Sequence, residues 1–548
     1  MSLVTKMLSR LAKLPPAPHP QLRVERDLEV VMPDGAVLLA DRWLPLTRAD
    51  APIVLMRSPY GRRGLDLFAQ VLASRGYQVV VQSCRGSFGS GGEWEPFFAE
   101  AADGRATLSW LEQQPWFVPR VATFGPSYLG LTQWAIAADP PPWLRGMAIA
   151  VSSSAFRDLV YTDRIFSLDL ALTWAYGLEH QEAGFLARQR ATIRAERATT
   201  AATEVLPVRA ADRALVGHPL SFYGDWVAHE PPSDDYWSRI DFSPARATMP
   251  EISMVGGWYD IFVRQQLADF TALRAAGRPA RITIGPWQHS SFGGLRQMVE
   301  DAVRLYARVL DDQPDDQTAR PVRVYVMGAH TWREFDSWPP PPDQQHTLHL
   351  ASRGGLAEVP AAAGVTAFSY DPADPTPAVG GRSLNRRHAG PRDQSPRESR
   401  SDVLSFTSDP LTRPVTVIGS PTVRLALRTS GEFGDLVVRL CDVAGSRSLN
   451  ICDGVAQLDP DAAVRDADGW SVVQLDLDPV AHSFVKGHRI RLQVSAGAHP
   501  LVVRNLGLGE PLATARRMTT NRYEVRHAGS ALSLPVHDSA REIAGRRG

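Results

Sequence analysis

The chain has 548 residues, which is too long for one compact core and sets an expectation of about two to four domains. Its composition is that of an ordinary globular protein, 44% hydrophobic and 22% charged. Lys+Arg and Asp+Glu both total 59, so nothing in the charge balance favours nucleic acid or an anionic membrane as partner. The N-terminal stretch carries Lys6, Arg10 and Lys13, but no signal-length apolar run follows them. No window approaches the roughly 18–20 apolar residues of a membrane span, and the location expected is cytoplasmic.

From about residue 25 to 150, short apolar runs alternate with helix-like stretches. Residues 53–57, 78–82, 121–125 and 147–151 read as buried strands of a largely parallel sheet. Between them, 65–74 and 100–112 have helical spacing, the alternation of an α/β domain. Residues 156–205 are rich in Ala, Leu, Arg and Glu and read as helices. Strand signals resume at 252–256 and 281–285, around a helical 262–276. The α/β domain is therefore expected to occupy 1–152 and 246–340, interrupted by a helical cap at 153–245. A Pro-rich break at 338–343 is read as a linker. Beyond it, the runs 347–350, 415–418, 422–427, 436–440, 472–477 and 490–494 predict a β-sandwich or jelly roll at 341–548.

The three lysines are Lys6, Lys13 and Lys486, so a Schiff-base lysine, a Ser–Lys dyad and a phosphate-cradling G-K-[ST] loop are not expected. Cys84, Cys441 and Cys452 are too few for a disulfide framework. Cys441 and Cys452 could meet in a hairpin, and reduced thiols are the expectation. There is no H-E-x-x-H, and the histidines lack paired ligand spacing, so neither metal nor cofactor is expected.

The strongest local signal is V-A-T-F-G-P-S-Y-L-G at 121–130. A buried strand runs into Gly125-Pro126-Ser127, and a helix-competent segment follows. A sharp strand-to-helix turn would raise the Ser127 hydroxyl beside helix N-terminal amides that can hold an oxyanion. The pattern departs from G-x-S-x-G, because Leu129 takes the second glycine's place and Gly130 follows. Alone it also fits a helix-capping serine. Gly381-Arg382-Ser383 and Gly469-Trp470-Ser471 match the bare G-x-S too, but without a strand–turn–helix setting.

Chain order adds the second half. Asp260 ends one expected strand and His289 follows the next, giving Ser…Asp…His, the order an α/β-hydrolase uses. Asp260 taken singly could be a helix cap, and His289 a loop histidine. Together the three predict a nucleophile (Ser127), a base (His289) and an orienting acid (Asp260). The Tyr128 amide would be one oxyanion donor. Tyr60, in Arg57-Ser-Pro-Tyr60-Gly61 after an early strand, is a candidate for the second or else a packing aromatic.

G-P-S-Y-L-G at 125–130, R-S-P-Y at 57–60, C-R-G-S-F-G-S-G-G at 84–92, G-W-Y-D at 257–260 and G-P-W-Q-H at 285–289 together resemble the cocaine-esterase-like hydrolases. That family is related to the X-prolyl dipeptidyl peptidases and α-amino-acid ester hydrolases. Y-D-P-A-D-P at 370–375 and K-G-H-R-I at 486–490 extend the resemblance into the β-rich part. It implies an α/β-hydrolase domain with an inserted helical cap and a C-terminal jelly roll. It also implies a Ser127–Asp260–His289 triad, with the Tyr60 hydroxyl and Tyr128 amide as oxyanion hole. The 84–92 loop looks like the family's structural glycine-rich loop, in which Arg85 braces rather than binds substrate. Phe262 and Trp174 sit where the family places an apolar pocket wall and an aromatic lid residue, and either could equally be a core aromatic.

Residues 261–264 supply no carboxylate to pair with a free amino group, which favours an uncharged acyl group, aromatic ones included. Cap carboxylates such as Asp158, Asp163 or Glu179 keep an aminoacyl or peptide substrate open, as they do a β-lactam acylase. A catalytically silent binding protein that uses its jelly roll is the reading from another class. The partner expected is a small ester, with self-association as a homodimer left open.

Overall fold

The computed structural model describes residues 17–230, 235–316, 318–458 and 466–538. The basic positions Lys6, Arg10 and Lys13 lie outside them. The chain divides into two compact units. One takes the residues up to Phe156 with Asp235–Gly257 and Gln265–Val322. The other takes the stretch that begins at Arg157, the short Trp258–Arg264 and everything from Arg323 onward.

The first unit is built on a sheet of β1 (Leu22–Val31), β2 (Val37–Pro45), β3 (Ile53–Ser58), β4 (Gln78–Ser83), β5 (Val121–Pro126), β6 (Leu144–Ala150), β7 (Glu251–Tyr259) and β8 (Ala280–Gln288). Their spatial order is β1-β2-β4-β3-β5-β6-β7-β8. The β1–β2 and β2–β4 pairs are antiparallel, whereas β4, β3, β5, β6 and β7 run parallel. This is the α/β-hydrolase fold, and the four strands expected from apolar runs at 53–57, 78–82, 121–125 and 147–151 are its centre.

Strand periodicity decides what each face buries. Val54, Met56, Val79, Val81, Ala122 and Phe124 join one apolar cluster with the helix Asp66–Ala73 and the helix Phe292–Val309. The latter buries Met298, Val299, Ala302, Leu305 and Tyr306, an apolar stripe at helical spacing, and Tyr306 donates its hydroxyl to the Thr123 carbonyl at 2.8 Å. Arg57 and Gln82, at the alternate positions, point to the opposite face, where the helices Glu100–Glu112 and Tyr128–Ile136 pack together.

The second unit holds the helices Leu168–Glu179, Phe185–Thr203, Ala211–Val216 and Ser221–Ala228, preceded by a small hairpin of Tyr161–Thr162 against Ile165–Phe166. Its β part is a sandwich around Leu425, Leu436, Val438, Leu492, Val494 and Val525, all buried. The strand Asn521–His537 runs through it as a shared seam, pairing with Gln344–Ala351, Val365–Tyr370, Val415–Gly419 and Thr422–Thr429. At the Pro-rich break, Trp338 is buried with its ring 5.8 Å from that of Trp258. Cys441 and Cys452 do lie on facing strands of one hairpin, in a register that shifts between Leu440 and Cys441, and both are free thiols. No described helix is long and apolar enough to cross a membrane.

Leu492 has no exposed surface at the middle of the sandwich. Leu492→Ala should lower the stability of the β unit by about 2–5 kcal/mol, read as an earlier urea midpoint for that unit's transition.

Candidate active site

β5 enters its turn through Gly125 and Pro126, and Ser127 sits at φ 56°, ψ −124°, a conformation L side chains rarely adopt. The turn is held from behind: the Ser127 amide donates to the Ala150 carbonyl at 2.9 Å, and the Ser127 carbonyl accepts from the Gly130 amide at 2.8 Å. Val151, next along β6, has φ 43° and donates its amide to Val255 at 2.8 Å. Two neighbouring strand ends therefore store backbone strain side by side.

The departure from G-x-S-x-G has a steric meaning. A side chain on Gly125 would begin 2.3 Å from the Leu129 Cβ, and one on Gly130 would begin 2.4 Å from the Ser152 Cβ. Leu129 thus fills the room in front of Gly125, and the second close approach falls one residue later.

Ser127 occupies the N-cap position of the helix Tyr128–Ile136, yet its side chain makes no capping hydrogen bond. Its Oγ lies instead 3.1 Å from Nε2 of His289. The two other G-x-S serines are occupied elsewhere. Ser383 donates to Asp169 at 2.6 Å, and Ser471 begins a strand of the sandwich.

His289 follows directly on β8, and Asp260 directly on β7, the neighbouring strand. Asp260 is fully buried, and its Oδ1 accepts the Phe262 amide at 2.8 Å, so it does cap its own turn. The loop of His289 is closed by the Gln288 amide on Ser291 Oγ at 2.8 Å. Its anchor is Trp287. A Cβ on Gly257 would begin 2.3 Å from the Trp287 carbonyl oxygen, while Cβ atoms on Gly285 and Gly293 would each begin 2.5 Å from the indole. The glycines of G-G-W-Y-D and G-P-W-Q-H are thus the walls of a slot for one tryptophan.

Beneath the elbow lies a buried polar cluster. Arg57 pairs with Glu100 at 2.9 Å, and both side chains are almost wholly enclosed. The Tyr128 hydroxyl donates to Glu100 at 2.9 Å and accepts the Phe97 amide at 3.0 Å, with the Phe97 ring stacked on it at 4.4 Å. Burial first, then the Glu100 charge, pushes the Tyr128 hydroxyl and the Cys84 thiol well above their ordinary range, so both stay protonated. Tyr60 stands edge-on to Tyr128, with ring centroids 6.1 Å apart. As the first residue of its helix, Tyr128 has an amide with no carbonyl one turn behind it.

Arg85 of the glycine-rich loop braces it, donating to Asp103 at 3.0 and 2.6 Å and to Asp34 at 2.7 Å. Trp174 stacks on Trp226 with centroids 5.4 Å apart and meets Phe222 edge-on at 5.5 Å. Phe262 is buried. Trp174, Phe262 and Asp260 belong to the second compact unit, and Ser127, His289, Tyr60 and Tyr128 to the first. Glu100 and Trp287 are the residues that sequence reasoning did not assign to the site. The clustering of glycines around Trp287 was the available signal for the second.

An α/β-hydrolase sheet with a serine on a strained elbow and an imidazole at hydrogen-bond range defines a serine hydrolase. Residues 34–291 match the X-Pro dipeptidyl-peptidase (S15 family), and residues 317–527 match the X-Pro dipeptidyl-peptidase C-terminal non-catalytic domain. The chain is 30% identical to the cocaine esterase of Rhodococcus sp. (strain MB1 Bresler) over 546 residues, covering 89% of this chain and 93% of the relative. It belongs to the cocaine-esterase-like hydrolase family, related to the X-Pro dipeptidyl-peptidases, and is a serine hydrolase. In fold it is similar to an aminopeptidase from the marine sediment archaeon Thaumarchaeota archaeon, with TM-score 0.78 and 23% identity, covering 96% and 98% of the two chains. It is likewise similar in fold to an α-amino acid ester hydrolase, with TM-score 0.75 and 22% identity over 96% and 98%.

Two variants probe the supports. Glu100→Ala leaves Arg57 buried without its partner and should cost about 3–5 kcal/mol, measured by urea denaturation. Gly257→Ala drives a Cβ into the Trp287 backbone and should lower ester kcat/KM at least roughly tenfold with the fold retained by circular dichroism.

Proposed function

We propose that the chain is a carboxylic-ester hydrolase that works through an acyl-enzyme on Ser127. The observation that carries this reading is the 3.1 Å approach of Ser127 Oγ to His289 Nε2 at a positive-φ elbow. Neutral His289 takes the hydroxyl proton as Oγ attacks the acyl carbon, and the imidazolium then protonates the leaving alcohol. Asp260, the residue after β7, serves as the acid that fixes the imidazole's tautomer. The Tyr128 amide and the Tyr60 hydroxyl are the two oxyanion donors. Water attacks the acyl-enzyme in the same geometry, with His289 again as base.

The substrate proposed is a small ester with an uncharged, aromatic-tolerant acyl group, with Phe262 and Trp174 as the aromatic residues of its pocket. The absence of carboxylates in residues 261–264 supports this, as does the esterase named among the relatives. An aminopeptidase is the second reading, favoured by the S15 family match.

Hydrolysis of p-nitrophenyl benzoate, p-nitrophenyl butyrate and alanine p-nitroanilide separates the two. Ester turnover should exceed anilide turnover, and Ser127→Ala should lower it by about 10³-fold or more. Ester activity that survives Ser127→Ala would overturn the nucleophile, and faster anilide turnover would move the function to the peptidase side.

A further inference from the structure

The second unit contains a cavity of about 390 Å³, at the small end of the roughly 300–1,000 Å³ typical of ligand sites. It is lined by Phe166 of the small hairpin, by Phe433, Asp435 and Leu458 of the sandwich, and by Glu230 and Asn505. The lining thus combines apolar and polar residues around a space that can take a small organic molecule.

Its floor is unusual for what it leaves undone. Asp435 is 3% exposed, and among the described residues its carboxylate takes one hydrogen bond, from Asn505 Nδ2 at 2.8 Å. An ionised carboxylate can accept about four. Two arginines also line the cavity: Arg504 is engaged by Glu204 at 2.5 Å and cannot serve Asp435 as an unshared counter-ion, while the charge of Arg164 acts on Glu230. Burial pushes the Asp435 carboxyl up to about 7, with Asp163 and Glu230 adding to the rise, and burial also raises Glu230. Two desolvated carboxyl groups in a lining that also holds apolar side chains are what an organic cation complements.

We propose that this cavity binds a small organic ammonium compound, its charge on Asp435 and Glu230 and its apolar body against Phe166, Phe433 and Leu458. None of the lining residues is one assigned above to the proposed catalytic set or its pocket. A neutral isostere of the ligand would leave the carboxyl groups unpaired, and an anionic one would be repelled.

The test is calorimetric titration of the full chain with 2-phenylethylammonium, 2-phenylethanol and 3-phenylpropanoate. The ammonium compound should bind roughly tenfold or more tightly than either analogue, and Asp435→Asn should remove that preference. Glu230→Gln, at a half-buried position, should weaken ammonium binding in the same direction and decides the matter if Asp435→Asn does not fold. Equal affinity for the three probes would overturn the proposal, as would an ammonium affinity unchanged by the variants.

Discussion

Arg57 is the last residue but one of β3 and Glu100 begins a helix, and the ion pair between them is buried beneath the elbow that carries Ser127. Two charges taken out of water are tolerable only when each is fully engaged. The surroundings meet most of that demand: Arg57 also donates to Gln82 at 2.8 Å and to the Glu100 carbonyl at 3.0 Å, while Glu100 accepts from Tyr128, and only Nη2 of Arg57 is left buried without a hydrogen-bond partner among the described residues. The position of Glu100 in the first turn of its helix places a negative charge where the aligned peptide dipoles favour one. The pair therefore ties β3, β4, one helix and the aromatic ring of Tyr128 into a single rigid base. The amide of Tyr128 inherits that rigidity, because its side chain is fixed at the hydroxyl, at the ring face and by burial.

The same principle recurs at the histidine. Nothing about a loop residue fixes its imbalance of freedom, so His289 depends on what flanks it. Trp287, wedged among glycines of two strands and of the following helix, converts a mobile connection into one with a defined exit. Strain at Ser127 and Val151 is the complement of these two anchors, since rarely populated backbone persists only where its surroundings over-determine it.

Much of this was legible in the residues. The central strands announced themselves as apolar runs, and the positions of Ser127, Asp260 and His289 just past strand ends could be read from the same pattern. β1 and β2 were not, because their charges hide the pattern: Asp41 and Arg42 are buried in β2 only through partners elsewhere, with Arg62 3.1 Å from Asp41 and the Arg42 guanidinium 4.0 Å over the ring of Trp116. The helix Phe292–Val309 went unassigned because it opens on Gly293 and Gly294, poor helix formers, the first of which leaves room for Trp287. In the Pro-rich segment the prolines signal a break in regular structure, but not that Trp338 within it is buried. Asp435 gave no sign at all, since an aspartate in a β run is buried or solvated according to neighbours far away in the chain.

The seam strand Asn521–His537 also has a temporal meaning. Gln344–Ala351 and Val365–Tyr370 emerge from the ribosome roughly 150–170 residues before the strand they pair with, and loops of that length close slowly. Until the seam is made, both carry unsatisfied edges that can be templated by another nascent chain. Completion of the sandwich thus waits on the seam strand, and in the interval before it the β part exposes edges of the kind that promote aggregation.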